Sequence, residues 1–224
     1  MKIAENVYVV PNVIANPYIL VDADGLTVID AGIPGSHKKI LAYVTGPLGK
    51  SARDVKRILL THSDLDHVGG LAALHKATGA RTYASQIEAQ AIAAGKSSRA
   101  VKSSGLSLRR VVVALIGPFM KATPFQVDEI VEDGQTLPAL GGLRVVGTPG
   151  HTPGHLSFYA PSLGVLFCGD SIVSEKGQLQ SSRPGFTWDG ALAAESTRKQ
   201  AALGARIVAS GHGPVVNDAV FPQV

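Results

Sequence analysis

The period of apolar and polar positions changes several times along the chain, and each change marks an element. Val7-Tyr8-Val9-Val10 and the run from Tyr18 to Ala31 are rich in β-branched and aromatic residues. Asp24-Gly25 interrupts the second run, which predicts a hairpin between two strands. Ser36 precedes a segment of helical spacing that begins near His37 and ends before Gly46. Arg57–Leu60 reads as a buried strand, followed by a helix from near Gly69 to Thr78 that Gly79 stops. Arg81–Ala84 is a short strand, and Ser85 caps a helix that runs to near Ala94. Beyond Glu129 the β-type runs Leu143–Val146, Leu156–Tyr159 and Val165–Cys168 are separated by Gly and Pro turns. Asp189 caps a helix over Gly190 to Leu203, Gly204 ends it, and Arg206–Ala209 is a last strand. Strands and helices in both halves predict a layered α/β domain, two sheets packed together with helices outside.

The length of 224 residues suits one domain spanning 1–224, and 45% apolar residues are enough for a sizeable core. A formal charge of +4 is only mildly basic and gives weak grounds for a nucleic-acid partner. The lone cysteine, Cys168, excludes an internal disulfide framework and reads as a small core residue. The N-terminus has no basic region followed by an apolar core, and the longest apolar run, Val111–Met120, is broken by Gly117 and Pro118. A cytoplasmic protein without a membrane partner is the expectation. From Ala89 to Val127 there is no acidic residue, while Lys96, Arg99, Lys102, Arg109, Arg110 and Lys121 all fall there. The segment 96–121 therefore reads as a solvated basic connection, with a mobile lid carrying a positive field as the alternative.

Polar residues that follow apolar runs form a set. His62, Asp64, Asp66 and His67 lie in Thr61-His62-Ser63-Asp64-Leu65-Asp66-His67, directly after Ile58-Leu59-Leu60. His151 follows Thr148-Pro149-Gly150, Asp170 ends Phe167-Cys168-Gly169-Asp170, and His212 lies in Ser210-Gly211-His212-Gly213. Strand ends with Gly and Pro turns can aim side chains into one cleft. Imidazole and carboxylate suit divalent first-row metals, Zn²⁺ foremost. Seven such groups exceed one tetrahedral site and suit two adjacent ions sharing a bridging carboxylate. Without cations, Asp64, Asp66 and Asp170 would repel one another. Asp64 or Asp66 alone could instead cap the following helix. His37 and His75, on helices, read as structural. His155 opens a strand and reads as support behind the ligands.

With these residues in place, the sequence resembles the metallo-β-lactamase superfamily. His62-Ser-Asp64-Leu-Asp66-His67 matches the motif His-x-His-x-Asp-His, and His151, Asp170 and His212 follow in the expected order. Asp30 in Val28-Ile29-Asp30-Ala31-Gly32 matches a frequent early Asp-x-Gly turn. The resemblance runs from Val7 to Pro214. It implies an αββα sandwich of two mixed β-sheets flanked by helices, the site lying at one edge between the sheets. It also implies one metal on His62, Asp64 and His151, a second on Asp66, His67 and His212, and Asp170 bridging. Asp64 departs from the motif's second histidine. A carboxylate is a harder, more anionic ligand, so Mn²⁺ or Fe²⁺ become alternatives to Zn²⁺, and the site's net charge falls.

The function expected is a metal-dependent hydrolase that uses a metal-bridging hydroxide on a small ester, thioester or lactone, with Asp66 orienting the hydroxide while ligating. Glyoxalase II enzymes resemble the motif set but carry a C-terminal helical region, and only twelve residues follow His212. Lactone-opening relatives often place tyrosine three residues after the bridging aspartate, where Val173 stands. A phosphodiesterase or nuclease using the basic segment is the alternative. Less favoured are a β-lactamase, an iron-dependent persulfide oxygenase and a non-catalytic module. Val111–Met120 and Phe186-Thr187-Trp188 are candidates for an apolar pocket wall, for core or for a dimer contact.

Overall fold

The computed structural model describes residues 1–99 and 122–224. Seven strands form the first sheet: β1 (Lys2–Ala4), β2 (Val7–Val9), β3 (Tyr18–Asp22), β4 (Gly25–Ile29), β5 (Val55–Leu59), β6 (Arg81–Ala84) and β7 (Glu129–Ile130), in that spatial order. β1 to β4 are antiparallel neighbours, and β4 to β7 run parallel. The second sheet takes β8 (Thr136–Leu137), β9 (Leu143–Gly147), β10 (Leu156–Ala160) and β11 (Val165–Gly169). A separate hairpin, β12 (Ile172–Glu175) and β13 (Gln178–Ser181), follows, and β14 (Ile207–Ser210) and β15 (Val216–Asn217) complete the second sheet in the order β15-β14-β11-β10-β9-β8. The helices are α1 (His37–Thr45), α2 (Leu65–Val68), α3 (Leu71–Thr78), α4 (Gln86–Ala93) and α5 (Gly190–Ala201).

Period-two alternation sorts the strand side chains into layers. Leu20, Ile29 and Leu59 of the first sheet meet Leu143, Val145, Phe158, Val165 and Phe167 of the second in one buried cluster. Their sequence neighbours face the other way. Ile19, Val28 and Ile58 pack with Ile40 and Val44 of α1, Leu71 and Leu74 of α3 and Ile92 of α4. Leu166, Cys168 and Val208 pack outward against Ile172, Leu179 and Ala205. Mixed sheets packed face to face with helices outside form the αββα arrangement. Among the described residues no helix is long and apolar enough to cross a membrane.

Several expectations meet the structure closely. β3 and β4 pair with Asp22 opposite Gly25, so Ala23-Asp24 is the turn. α3 stops at Gly79 in the left-handed region (φ 69°), and Asp189 Oδ1 caps α5 by accepting from the N–H groups of Ala191 and Leu192. Others differ. Ser36 precedes α1 but is itself helical and its hydroxyl makes no cap bond, so α1 begins without one. The motif reads as a loop up to the helix near Gly69, yet within it Leu65–Val68 forms the one-turn helix α2. Arg206–Ala209 is not the last strand, because β15 follows it. Residues 100–121 of the basic segment 96–121, including the run 111–120, lie outside the described residues.

The strand directions place the site. β4 and β5 run parallel, and so do β11 and β14. β10 is antiparallel to both β9 and β11, so β9 shares the direction of β11. The C-terminal ends of β9, β11 and β14, and the N-terminal end of β10, therefore meet at one edge of the second sheet. A backbone bond from the Leu156 N–H to the Thr61 carbonyl (2.9 Å) joins that edge to the end of β5. Phe158 is fully buried between the sheets. Phe158→Ala is expected to cost about 3–5 kcal/mol through lost burial and a cavity, read as a lowered midpoint in urea unfolding; a loss below about 1 kcal/mol would contradict this core assignment.

Candidate metal centre

Four chain segments meet at the shared edge. Thr61 to Asp64 follow β5, and Asp66 and His67 sit on α2. His151 follows β9, Asp170 follows β11 and His212 follows β14. The loops are held by backbone bonds: Ala31 N–H to the His67 carbonyl (2.7 Å), Gly211 N–H to the Gly169 carbonyl (2.7 Å) and Asn16 N–H to the Gly211 carbonyl (2.7 Å). At Gly211 the approach is so close that a Cβ would lie 2.4 Å from Asp170 Oδ1 and 2.7 Å from His67 Cε1. Only glycine leaves room there for both side chains.

All seven residues expected to ligate metal come together. His151 Nε2 lies 3.3 Å from Asp64 Oδ2, and His62 Nε2 lies 3.7 Å from the same oxygen. His212 Nε2 lies 3.1 Å from Asp66 Oδ2. Asp170 stands between the two groups, with Oδ1 3.3 Å from His67 Nε2 and Oδ2 3.4 Å from His212 Nε2 and 3.7 Å from His151 Nε2. The sets His62–Asp64–His151, Asp66–His67–His212 and His62–His67–Asp170 each bring their ligand atoms within 4.8 Å of one another.

The hydrogen bonds behind these atoms fix which nitrogen faces the centre. Thr61 Oγ1 donates its proton to Asp30 Oδ2 (2.8 Å), so its contact with His62 Nδ1 (2.9 Å) is a bond donated by the imidazole. His62 Nε2 is thereby left with a lone pair. His67 Nδ1 meets Asp30 Oδ2 at 2.8 Å, and His151 Nδ1 meets Ser182 Oγ at 3.0 Å. Asp30, placed at the end of β4 with φ 61°, also accepts from the Thr61 N–H at 2.9 Å. Among the described residues, buried His62 Nε2, His67 Nε2 and Asp170 Oδ1 have no hydrogen-bond partner. His67 Nε2 and Asp170 Oδ1 face each other at 3.3 Å without hydrogen-bond geometry, and together with His62 Nε2 they converge on a common third point where a cation would satisfy them. The residues present fit a divalent metal site.

His155 is built differently. Its Nε2 accepts from the Asp170 N–H (3.2 Å), so its Nδ1–H is the donor to Thr148 Oγ1 (2.9 Å). Both ring nitrogens are engaged, and the imidazole holds the backbone of Asp170. Burial and the neighbouring His151 push its pKa down to about 3, so the ring is neutral. At His212 the carboxylates of Asp170 and Asp66 raise the pKa to about 9. Burial opposes ionisation of Asp64, but His151, His62 and Arg99 together hold its carboxyl well below the usual range. Asp64 occupies the residue before α2, yet its side chain makes no cap bond, since it turns into the site.

A cavity of about 200 Å³ opens onto these groups, lined by Asp64, Asp66, His151, Asp170 and His212 on its floor and by Arg99, Arg183, Val173 and Phe186 around them. Phe186 thus stands at the pocket, as its sequence position allowed. His75 meets the Ala80 carbonyl through Nδ1 at 2.9 Å, and Cys168 is buried in β11; neither lines the cavity. Two residues that the sequence did not single out are central. Arg99 forms an ion pair with Asp64, Nη2 to Oδ2 at 2.5 Å. Glu88 of α4 is fully buried. Its Oε2 accepts from the Ser63 N–H (2.9 Å), and its Oε1 from Ser98 Oγ (2.8 Å), Thr152 Oγ1 (2.7 Å) and the Gly154 N–H (3.0 Å). One carboxylate therefore ties both ligand loops to a helix. In Glu88→Gln the amide must face either the Ser63 or the Gly154 N–H, donor against donor. The expected loss is about 1–3 kcal/mol of stability, read in thermal unfolding of the metal-free protein, and an unchanged melting temperature would refute it.

The comparisons agree with this geometry. The family model described as metallo-beta-lactamase superfamily matches residues 10–212. A relative from Bacillus subtilis, the probable metallo-hydrolase YflN, is 28% identical, the match covering 89% of this chain and 81% of that one. The hydroxyacylglutathione hydrolase of Pseudomonas aeruginosa is 30% identical over 63% of this chain and 41% of its own length. Among solved structures, the metallo-beta-lactamase family protein TTHA1429 of Thermus thermophilus superposes with a TM-score of 0.73 at 26% identity, over 96% of this chain and 75% of that one. Order of ligands, layer arrangement and family match coincide over the same residues, and the chain belongs to the metallo-β-lactamase superfamily.

Proposed function

We propose that the protein is a binuclear metal-dependent hydrolase acting on a small ester, thioester or lactone. The observation that carries this reading is the convergence of three buried ligand atoms without a hydrogen-bond partner, His62 Nε2, His67 Nε2 and Asp170 Oδ1, which form a set of their own linking the His62–Asp64–His151 set to the Asp66–His67–His212 set. His62, Asp64 and His151 would hold one ion and Asp66, His67 and His212 the other, with Asp170 between them. Divalent ions at such a site lower the pKa of water to about 7 and polarise the oxygen of the scissile group. Zn²⁺ suits the mixed imidazole and carboxylate set best, with Mn²⁺ or Fe²⁺ as alternatives.

The chain's own groups supply the rest. Asp30, Thr61 and Ser182 hold the imidazoles so that Nε2 faces inward. Asp66 lines the cavity with its side chain 35% exposed, so its carboxylate can orient the attacking water. Phe186 and Val173 give part of the wall an apolar character suited to an acyl chain, and Arg183, paired with Glu175, stands at the rim. A cavity of about 200 Å³ favours a small substrate. The likeness to a hydroxyacylglutathione hydrolase supports a thioester within this class. The remaining partner is the small molecule itself.

Protein purified without added metal is expected to carry divalent metal and to turn over members of a lactone, thioester, β-lactam and phosphodiester panel from the first two classes. Chelation should abolish turnover and re-addition of metal restore it; hydrolysis that persists in metal-free protein would defeat the reading. Asp66→Asn keeps the shape without the charge and should lower kcat at least about 100-fold, and undiminished turnover would remove Asp66 from this role.

A further inference from the structure

The ion pair on Asp64 is more than a surface contact. Arg99 Nη2 and Nε donate to Asp64 Oδ2 at 2.5 and 3.1 Å, and the side chains are only 15% and 10% exposed. Ser97 Oγ donates to the other oxygen, Oδ1, at 2.6 Å. The guanidinium is oriented from its far side as well, since Nη1 donates to the Phe186 carbonyl (2.6 Å) and the group lies 5.7 Å from the Phe186 ring centre. Ser98, between Ser97 and Arg99, ties this stretch to the motif loop and to α4, its N–H donating to Ser63 Oγ and its Oγ to Glu88 Oε1, both at 2.8 Å. Ser97, Ser98 and the Phe186 carbonyl thus act together to hold one cation against one ligand.

The oxygen that Arg99 grips is the one that faces the other ligands of its set. Asp64 Oδ2 is the atom 3.3 Å from His151 Nε2 and 3.7 Å from His62 Nε2. The guanidinium and a metal ion would share it, and each weakens the oxygen as a donor to the other. The charges of the two sets then differ. His62 and His151 with the Asp64–Arg99 pair sum to zero when the imidazoles are neutral. Asp66 with His67 and His212 sums to minus one, and Asp30 behind His67 adds a further negative charge to that side. The expected fall in site charge caused by Asp64 is therefore corrected: Arg99 returns it.

We propose that Arg99 is a built-in counter-ion that makes Asp64 a net-neutral ligand, as an imidazole in its place would be, and so leaves the His62–Asp64–His151 site weaker than the Asp66–His67–His212 site. The two sites fill in sequence, the second-named first. This rests on the binuclear reading, and binding constants separate the two claims.

Metal-free protein would be titrated with Zn²⁺ against a chromophoric chelator. Two steps separated by about tenfold or more are expected, with Asp64→Ala removing the weaker and sparing the tighter. Arg99→Gln should strengthen the weaker step by about tenfold and draw the two together, while Arg99→Lys, which keeps the charge, preserves the separation. Asp64→His alone should weaken that step, because an unpaired guanidinium then faces neutral ligands, and Asp64→His with Arg99→Gln should return it toward the wild-type value. If Arg99→Gln leaves the weaker step unchanged or weakens it, or if Gln and Lys behave alike, Arg99 only orients Asp64 and the proposal fails. Wild-type protein that binds no Zn²⁺ would instead sink the metal-site reading itself.

Discussion

Buried lone pairs that face one another organise this molecule. His62 Nε2, His67 Nε2 and Asp170 Oδ1 have no hydrogen-bond partner among the described residues, although each lies in the most carefully bonded part of the structure. Leaving such groups unmet costs on the order of 1–3 kcal/mol apiece, while the repulsion expected among Asp64, Asp66 and Asp170 is offset by the surrounding imidazoles and by Arg99, which hold all three carboxyls below their ordinary range. The fold tolerates this because each group is fixed from behind. Asp30 and Thr61 hold His67 and His62, His155 holds the Asp170 backbone, and Ser182 holds His151. A cluster that could relax would scatter into water-facing rotamers; this one is prevented from doing so.

That restraint follows from strand direction more than from any single contact. β9, β11 and β14 share a direction, so their ends deliver His151, Asp170 and His212 to one edge. β10 runs the other way and contributes its beginning, which is why His155 arrives beside His151 rather than at the far side of the sheet. The bond from Leu156 to Thr61 closes the seam between the sheets. Glu88 then ties the seam to α4, so the site's stability and that of the helical layer are coupled.

The legible part of this design was the part carried by local pattern. The apolar runs Ile58-Leu59-Leu60 and Val165–Cys168 announced strands, and the polar residues directly after them announced the site, because a strand end followed by a turn is a local event. Gly79 and Asp189 wrote their helix ends into the sequence by the same rule. What stayed hidden depended on partners far away. Glu88 sits among alanines and isoleucine in an ordinary amphipathic helix, and only the arrival of Ser63, Ser98 and Gly154 makes it a junction. The β12–β13 hairpin has a four-residue strand ending in Glu175 and a polar strand Gln178–Ser181, a pattern that reads as loop. Arg99 reads with the basic run around it as solvated surface, because nothing local ties it to Asp64, 35 residues earlier.

The two halves of the site consequently have different origins. Asp66, His67, Asp170 and His212 stand on a helix and strand ends whose positions the sheets fix. Asp64 also follows a strand, but the groups that set its charge, Ser97 and Arg99, come from a segment beyond α4 that belongs to neither sheet. Connecting segments accept substitution and insertion with little effect on a core. A change of sign at position 99 would alter one ligand's basicity while leaving every strand in register. In this arrangement the scaffold decides where metal ligands meet, and a loop decides how strongly one of them donates.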